Sequence, residues 1–89
     1  MKMKVLFCWD IDTENGEGKR RQFYRKLYGY TQKKEEKTYK YQGVLEEVDG
    51  ERINQSVILV TEEGAGEIRK LLEDFSEIFG TWRSFKVQE

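Results

Sequence analysis

Histidine and proline are missing from this 89-residue chain, and cysteine occurs once. Without an imidazole, Ser-His-Asp and Cys-His catalysis and histidine-held metals are excluded, along with the commonest general base near neutral pH. The single Cys8 can form no internal disulfide, and its place in an apolar run predicts a buried, inert thiol in a reducing compartment. No apolar stretch approaches the roughly 20 residues of a membrane span, and Met1–Trp9 has neither the length nor the cleavage site of a signal peptide. A cytoplasmic protein without membrane contact is expected. With proline absent and charge supplied mainly by Lys, Arg and Glu, the composition resembles the ion-pair-rich surfaces of thermophile proteins.

What remains is a globular balance, 37% apolar and 37% charged. A chain of this length suffices for one core, so residues 1–89 are expected to form one domain. Val5 to Trp9 has no polar alternate and predicts a central strand, covered on both faces or paired on both edges. A polar loop follows, in which Thr13 or Asn15 is placed to cap a helix. From Lys19 to Tyr28 the pairs Phe23/Leu27 and Tyr24/Tyr28 lie four apart, one aromatic-rich helical stripe that Gly29 stops.

Thr31–Lys37 reads as a charged connection or as the start of a long strand. Thr38–Val48 and Ile53–Val60 are β-rich and flank Asp49-Gly50, which predicts a hairpin between them. Ile68, Leu71, Leu72, Phe75, Ile78 and Phe79 step by three and four along a second helix, starting near Thr61–Glu67 and ending at Gly80. Trp82, Phe85 and Val87 suggest a short last strand. An α+β domain follows, and right-handed crossovers select the ferredoxin-like βαββαβ order, a four-stranded antiparallel sheet with two helices on one face.

Charge is segregated along the chain. Lys19 to Lys40 holds nine basic and two acidic residues, whereas residues 41–89 hold five basic and eleven acidic, within a net charge of −1. Fields are local over a Debye length of about 8 Å, so a near-neutral protein can still offer a basic surface to phosphate. Lys19, Arg20, Arg21, Arg25, Lys26 and Tyr30 are the candidate nucleic-acid-binding residues, for DNA or RNA. Tyrosines 24, 28, 30, 39 and 41 interleave with the cations, the ingredients of a single-strand stacking surface. The competing reading is a solvated helix face with tyrosines packed beneath it.

The loop after the first strand carries Asp10, Asp12, Glu14 and Glu17. Asp10 and Asp12 are the candidate ligands for Mg²⁺ or Mn²⁺, since hard cations take carboxylate oxygens. Capping and solvation are the competing roles. A phosphatase signature of the haloacid dehalogenase kind needs its Thr two residues after the second Asp, but here Thr13 follows Asp12 directly. Asn15 and Arg21 stand where an EF-hand loop requires Gly and a bidentate Glu. Gly16-Glu17-Gly18-Lys19-Arg20 lacks the endings of dinucleotide and P-loop motifs, and Arg52–Val60 lacks the aromatics of an RNA-recognition motif.

The first third of the chain resembles the small subunit of the CRISPR adaptation integrase, a family of short ferredoxin-like proteins with metal-dependent nuclease activity. The likeness lies in an apolar strand ending in Trp9-Asp10, the basic Lys19-Arg20-Arg21, and Leu27-Tyr28-Gly29 with Gln32 beyond. It implies a homodimer whose paired Asp10 carboxylates hold a divalent metal, with Arg20, Arg21 and Arg25 near nucleic-acid phosphates.

Two function classes follow. One is a small nucleic-acid-associated binding protein, with or without weak metal-dependent phosphodiesterase activity. The other is a structural or regulatory homodimer without catalysis, whose strand edges near Lys40 and Lys86 are guarded or covered. Catalysis independent of metal lacks candidate groups, and no residue is assigned a catalytic role.

Overall fold

The computed structural model describes residues 3–12 and 17–88. Strand β1 (Met3–Ile11) runs through the middle of a four-stranded antiparallel sheet. It alternates as an amphipathic strand does, with Val5, Phe7 and Trp9 buried and Leu6 and Cys8 half-buried. Both of its edges are paired, as the apolar run predicts, but only one face is covered. Cys8 lies on the other face, so its thiol is half-buried rather than enclosed.

Helix α1 (Glu17–Tyr28) buries Phe23 and Leu27 and ends at Gly29, whose φ of +78° suits a residue without Cβ. The chain then turns into a ribbon of its own, β2 (Gly29–Lys34) paired with β3 (Lys37–Gln42). At the base of the ribbon the backbones of Gly29 and Gly43 meet. A Cβ on Gly29 would strike the Tyr41 carbonyl, and one on Gly43 the Leu27 carbonyl, so both positions need glycine.

A short helix, α2 (Val44–Glu47), follows, then β4 (Glu51–Asn54), β5 (Val57–Thr61), α3 (Glu62–Asp74), a 3-10 turn (Ser76–Ile78) and β6 (Phe79–Gln88). Thr61 caps α3 by accepting a hydrogen bond from the Gly64 amide at 3.1 Å. The main sheet is ordered β4-β5-β1-β6, and β2-β3 stands as a separate two-stranded sheet.

The protein is therefore α+β, with a four-stranded antiparallel sheet and three helices among the described residues, but its elements do not follow the expected βαββαβ order. The difference arises in two places. Thr38–Val48 is not one strand: Tyr39 and Tyr41 pair back onto β2, whereas Val44, Leu45 and Val48 have helical spacing and seat Leu45 in the core. Asp49-Gly50 is not a hairpin turn. It closes α2 as Asp49 enters the left-handed region at φ +54°, its amide donating to the Glu46 carbonyl at 3.1 Å and the Gly50 amide to the Leu45 carbonyl at 2.8 Å. The hairpin lies further on, between β4 and β5 through Gln55-Ser56. The second long helix also stops earlier than Gly80, at Asp74, and β6 is a ten-residue strand rather than a short one.

The core lies between α1, α2 and α3 and the inner face of the sheet. Phe7, Phe23, Leu27, Ile58, Val60, Ile68, Leu72 and Ile78 are each under 2% exposed. Full burial of such a side chain contributes about 1.5–3 kcal/mol. Phe23 joins the layers, edge-on to Trp9 at 5.5 Å, to Phe75 at 5.7 Å and to Phe79 at 5.0 Å between ring centroids.

Candidate functional site

On α1 the buried positions Phe23 and Leu27 leave Arg20, Arg21, Tyr24, Arg25 and Tyr28 facing outward or sideways. These side chains, with Glu17, Gly29, Arg52 and Gln55, line an open groove of about 500 Å³ between α1 and the β4–β5 hairpin. Among the described residues, four guanidinium groups thus share one concavity with a single carboxylate, Glu17.

The tyrosines in the groove are fixed by specific contacts. Trp9 Nε1 donates to the Tyr24 hydroxyl at 3.3 Å, and the Tyr24 and Tyr28 rings stack at 5.8 Å with an interplanar angle of 10°. The Tyr28 hydroxyl reaches the carbonyls of Asn54 at 3.3 Å and Gln55 at 3.0 Å, tying the end of α1 to the hairpin turn. Burial pushes the Tyr28 phenol up to about 12, with Arg52 opposing the shift and Tyr24 adding to it. Tyr28 consequently stays protonated, and remains a hydrogen-bond donor, across the ordinary pH range.

The arginines lean on those rings. The guanidinium of Arg52 sits 4.3 Å from the Tyr28 centroid, that of Arg25 4.7 Å from Tyr30, and that of Arg20 5.9 Å from Tyr24. Each contact contributes roughly 0.5–1 kcal/mol at an exposed site. Its larger effect is to restrain a flexible side chain, which lowers the ordering cost of meeting a phosphate. The arrangement suits bidentate contacts to anionic oxygens.

Of the six cationic and aromatic candidates, Arg20, Arg21 and Arg25 come together in this groove, and Tyr30 lies next to it under Arg25. Lys19 and Lys26 do not join them. Lys19 is ion-paired with Glu77 on the 3-10 turn, and Lys26 sits 5.3 Å from the Phe75 ring. Arg52 and Gln55 were not singled out in the sequence. Arg52 is the only cation between Glu46 and Ile68, a faint signal within an acidic stretch.

Asp10 is exposed on β1 opposite Thr81, just before a register shift, and Asp12 is exposed where its amide donates to the Ile78 carbonyl. Among the described residues no three His, Cys, Asp or Glu side chains converge. Thr13 and Asn15, named above as caps, and Glu14 of the same loop lie outside the described residues. No helix among the described residues is long and apolar enough to cross a membrane.

Comparison with protein-family models, curated proteins and solved structures finds no match to the chain.

Proposed function

We propose that the protein binds nucleic acid through its phosphate backbone, using the groove between α1 and the β4–β5 hairpin. The observation that carries this reading is the convergence of Arg20, Arg21, Arg25 and Arg52 from two elements distant in sequence, three of them resting on tyrosine rings. A merely solvated helix face would not gather a fourth arginine from β4. The groove supplies recognition, and no chemical step is assigned to it. The test is a fluorescence-anisotropy titration of a labelled single-stranded oligonucleotide between about 50 and 200 mM salt. Binding that weakens steeply with salt, and disappears in the Arg21→Glu/Arg25→Glu double variant, supports the reading. Unchanged affinity in that variant overturns it.

We also read the main sheet as a ferredoxin-like frame interrupted by an insertion. Setting β2, β3 and α2 aside leaves four strands and two long helices in alternation, with β1 flanked by β5 and β6, and that supports the reading.

A homodimer is the second reading, favoured by the outer face of the sheet. There Leu6 lies between Leu59 and Phe85 in register, and Phe85 is 49% exposed. Glu51 sits at the β4 edge of this row and Arg83 near the β6 edge. A two-fold axis along the strands would set the Glu51 edge of one copy over the Arg83 edge of the other, giving charge complementarity. Sedimentation at micromolar concentration tests it: a dimer that Phe85→Glu dissociates is expected, and a strict monomer contradicts it.

A further inference from the structure

The β2–β3 ribbon does nothing for the core. Every residue from Thr31 to Gln42 is exposed, and a two-stranded ribbon by itself is marginally stable in water. The ribbon nevertheless has two chemically distinct faces. Its register pairs Tyr30 with Tyr41, Gln32 with Tyr39 and Lys34 with Lys37, and these pairs share one face because side chains alternate across a strand. Thr31 with Lys40 and Lys33 with Thr38 occupy the other face. Four lysines, 33, 34, 37 and 40, stand against two glutamates, 35 and 36, which are confined to the turn at the tip. Among the described residues Lys33, Lys34 and Lys37 have no ion-pair partner, and Lys40 meets Glu46 only at 3.9 Å between two exposed side chains.

The aromatic face begins where the groove ends. Tyr28 and Gly29 line the groove, and they also line a smaller depression with Tyr30, Thr31, Lys40 and Tyr41. Tyr30 and Tyr41 stack at 4.6 Å, with Arg25 over Tyr30. Along this continuous path the character of the rings changes. In the groove Tyr24 and Tyr28 are engaged with each other and with arginines, whereas Tyr41 and Tyr39 are 44% and 45% exposed.

We infer that the ribbon is the second half of the binding track, so that the ligand is a single-stranded nucleic acid: its phosphates meet the arginines of the groove and its bases stack on Tyr41 and Tyr39 between lysines. The inference rests on the groove reading above and adds the class and length of the ligand. A single strand is favoured over a duplex because outward tyrosine rings need unstacked bases, and a duplex keeps its bases stacked inward. From Arg20 to Tyr28 the helix rises about 12 Å, and six ribbon pairs span about 20 Å. An extended strand with unstacked bases advances roughly twice the ~3.4 Å stacked rise per nucleotide, so the path accommodates about five.

The experiment compares the wild type, Lys33→Gln/Lys34→Gln/Lys37→Gln/Lys40→Gln and Tyr39→Leu on labelled single-stranded oligomers of increasing length, with a duplex as competitor. All five positions are exposed, and circular dichroism checks that the fold is kept. Wild-type affinity is expected to rise with length up to about five nucleotides and then level off. In the four-lysine variant that gain is expected to disappear, and the salt slope to fall by at least about 1.4, the share of Lys34 and Lys37 on the aromatic face at roughly 0.7 per phosphate contact. Tyr39→Leu is expected to weaken binding roughly tenfold with its salt slope unchanged.

If the four-lysine variant keeps the length gain and the slope, the ribbon inference falls, while loss of binding in Arg21→Glu/Arg25→Glu still upholds the groove. If the duplex competes as well as the single strand and Tyr39→Leu changes nothing, the single-strand assignment is overturned. If the wild type binds no oligomer at low salt, the groove reading fails and the ribbon inference with it.

Discussion

β1 and β3 carry large apolar or aromatic side chains at alternate positions, yet Phe7 and Trp9 are buried whereas Tyr39 and Tyr41 stand in solvent. Alternation alone sets which residues share a face; a covering layer decides whether that face becomes core. For β1 the layer is supplied by α1 and α3, whose Phe23, Ile68 and Leu72 fill the space above it. For the ribbon no described element lies over the tyrosines. The sequence marks this difference in its choice of aromatic, since a tyrosine left in water keeps its hydroxyl solvated and still offers a ring, whereas the Phe7 side chain offers nothing to solvent.

This contrast between body and ribbon is open to attack at several points. Leu72→Ala should destabilise the protein by about 2–5 kcal/mol in chemical denaturation through a cavity under α3, whereas Tyr39→Ala in the ribbon should change stability by no more than about 0.5 kcal/mol. Comparable losses at the two positions would show that the ribbon is part of the cooperative core after all. Next in size, Arg21→Glu/Arg25→Glu should weaken binding by about a hundredfold or more at low salt, since charge-assisted contacts contribute about 1.5–3 kcal/mol each, with the unfolding midpoint almost unmoved.

Within the body Tyr28 ties α1 to the β4–β5 hairpin, and its titration reports on that joint. Its phenol is raised to about 12 in the folded chain, above the ordinary value near 10, so the unfolded state loses its proton first as pH rises. The contribution is fully present below pH 10 and is lost between about pH 10 and 12. A shift of two units would correspond to about 2.7 kcal/mol, and solvent screening at this partly open hydroxyl reduces the expected loss to about 1 kcal/mol. Tyr28→Phe should remove that part of the alkaline loss, and identical alkaline profiles for variant and wild type would contradict the assigned cause. The smallest effect expected is at Glu17, the one carboxylate lining the groove among the described residues. Glu17→Gln should strengthen oligonucleotide binding about twofold, and weaker binding would mean that Glu17 orients an arginine instead of opposing the ligand.

Much of the body was legible in the sequence. The apolar run of β1, the Phe23/Leu27 stripe with Gly29 behind it, and the three-and-four spacing from Ile68 each name residues that are buried. Two features were not legible, because local signals compete there. Asp49-Gly50 is as suitable for ending a helix as for turning a hairpin, and only the seating of Leu45 in the core selects the first. Tyr39 to Gln42 is as good a partner for β5 as for β2, and the close approach of Gly29 to Gly43 favours the nearer strand. Once α2 takes up Val44–Glu47, β3 cannot reach the main sheet, and the six-element order is lost.

The site was legible in part for a related reason. Helical spacing places Arg21 and Arg25 on one face, but nothing local to α1 signals that Glu77 and Phe75 engage Lys19 and Lys26. Nor does it signal that a hairpin more than twenty residues away returns Arg52 to the Tyr28 ring.

The central claim is that arginines from α1 and β4 act together on one phosphate chain, and the salt dependence of oligonucleotide binding tests it most directly. Replacing Arg52 with Gln should lower the slope of log affinity against log salt by about 0.7, as replacing Arg21 does, although the two stand 31 positions apart in sequence. A slope that falls for Arg21→Gln and is untouched by Arg52→Gln would contradict it, leaving a basic helix with no groove.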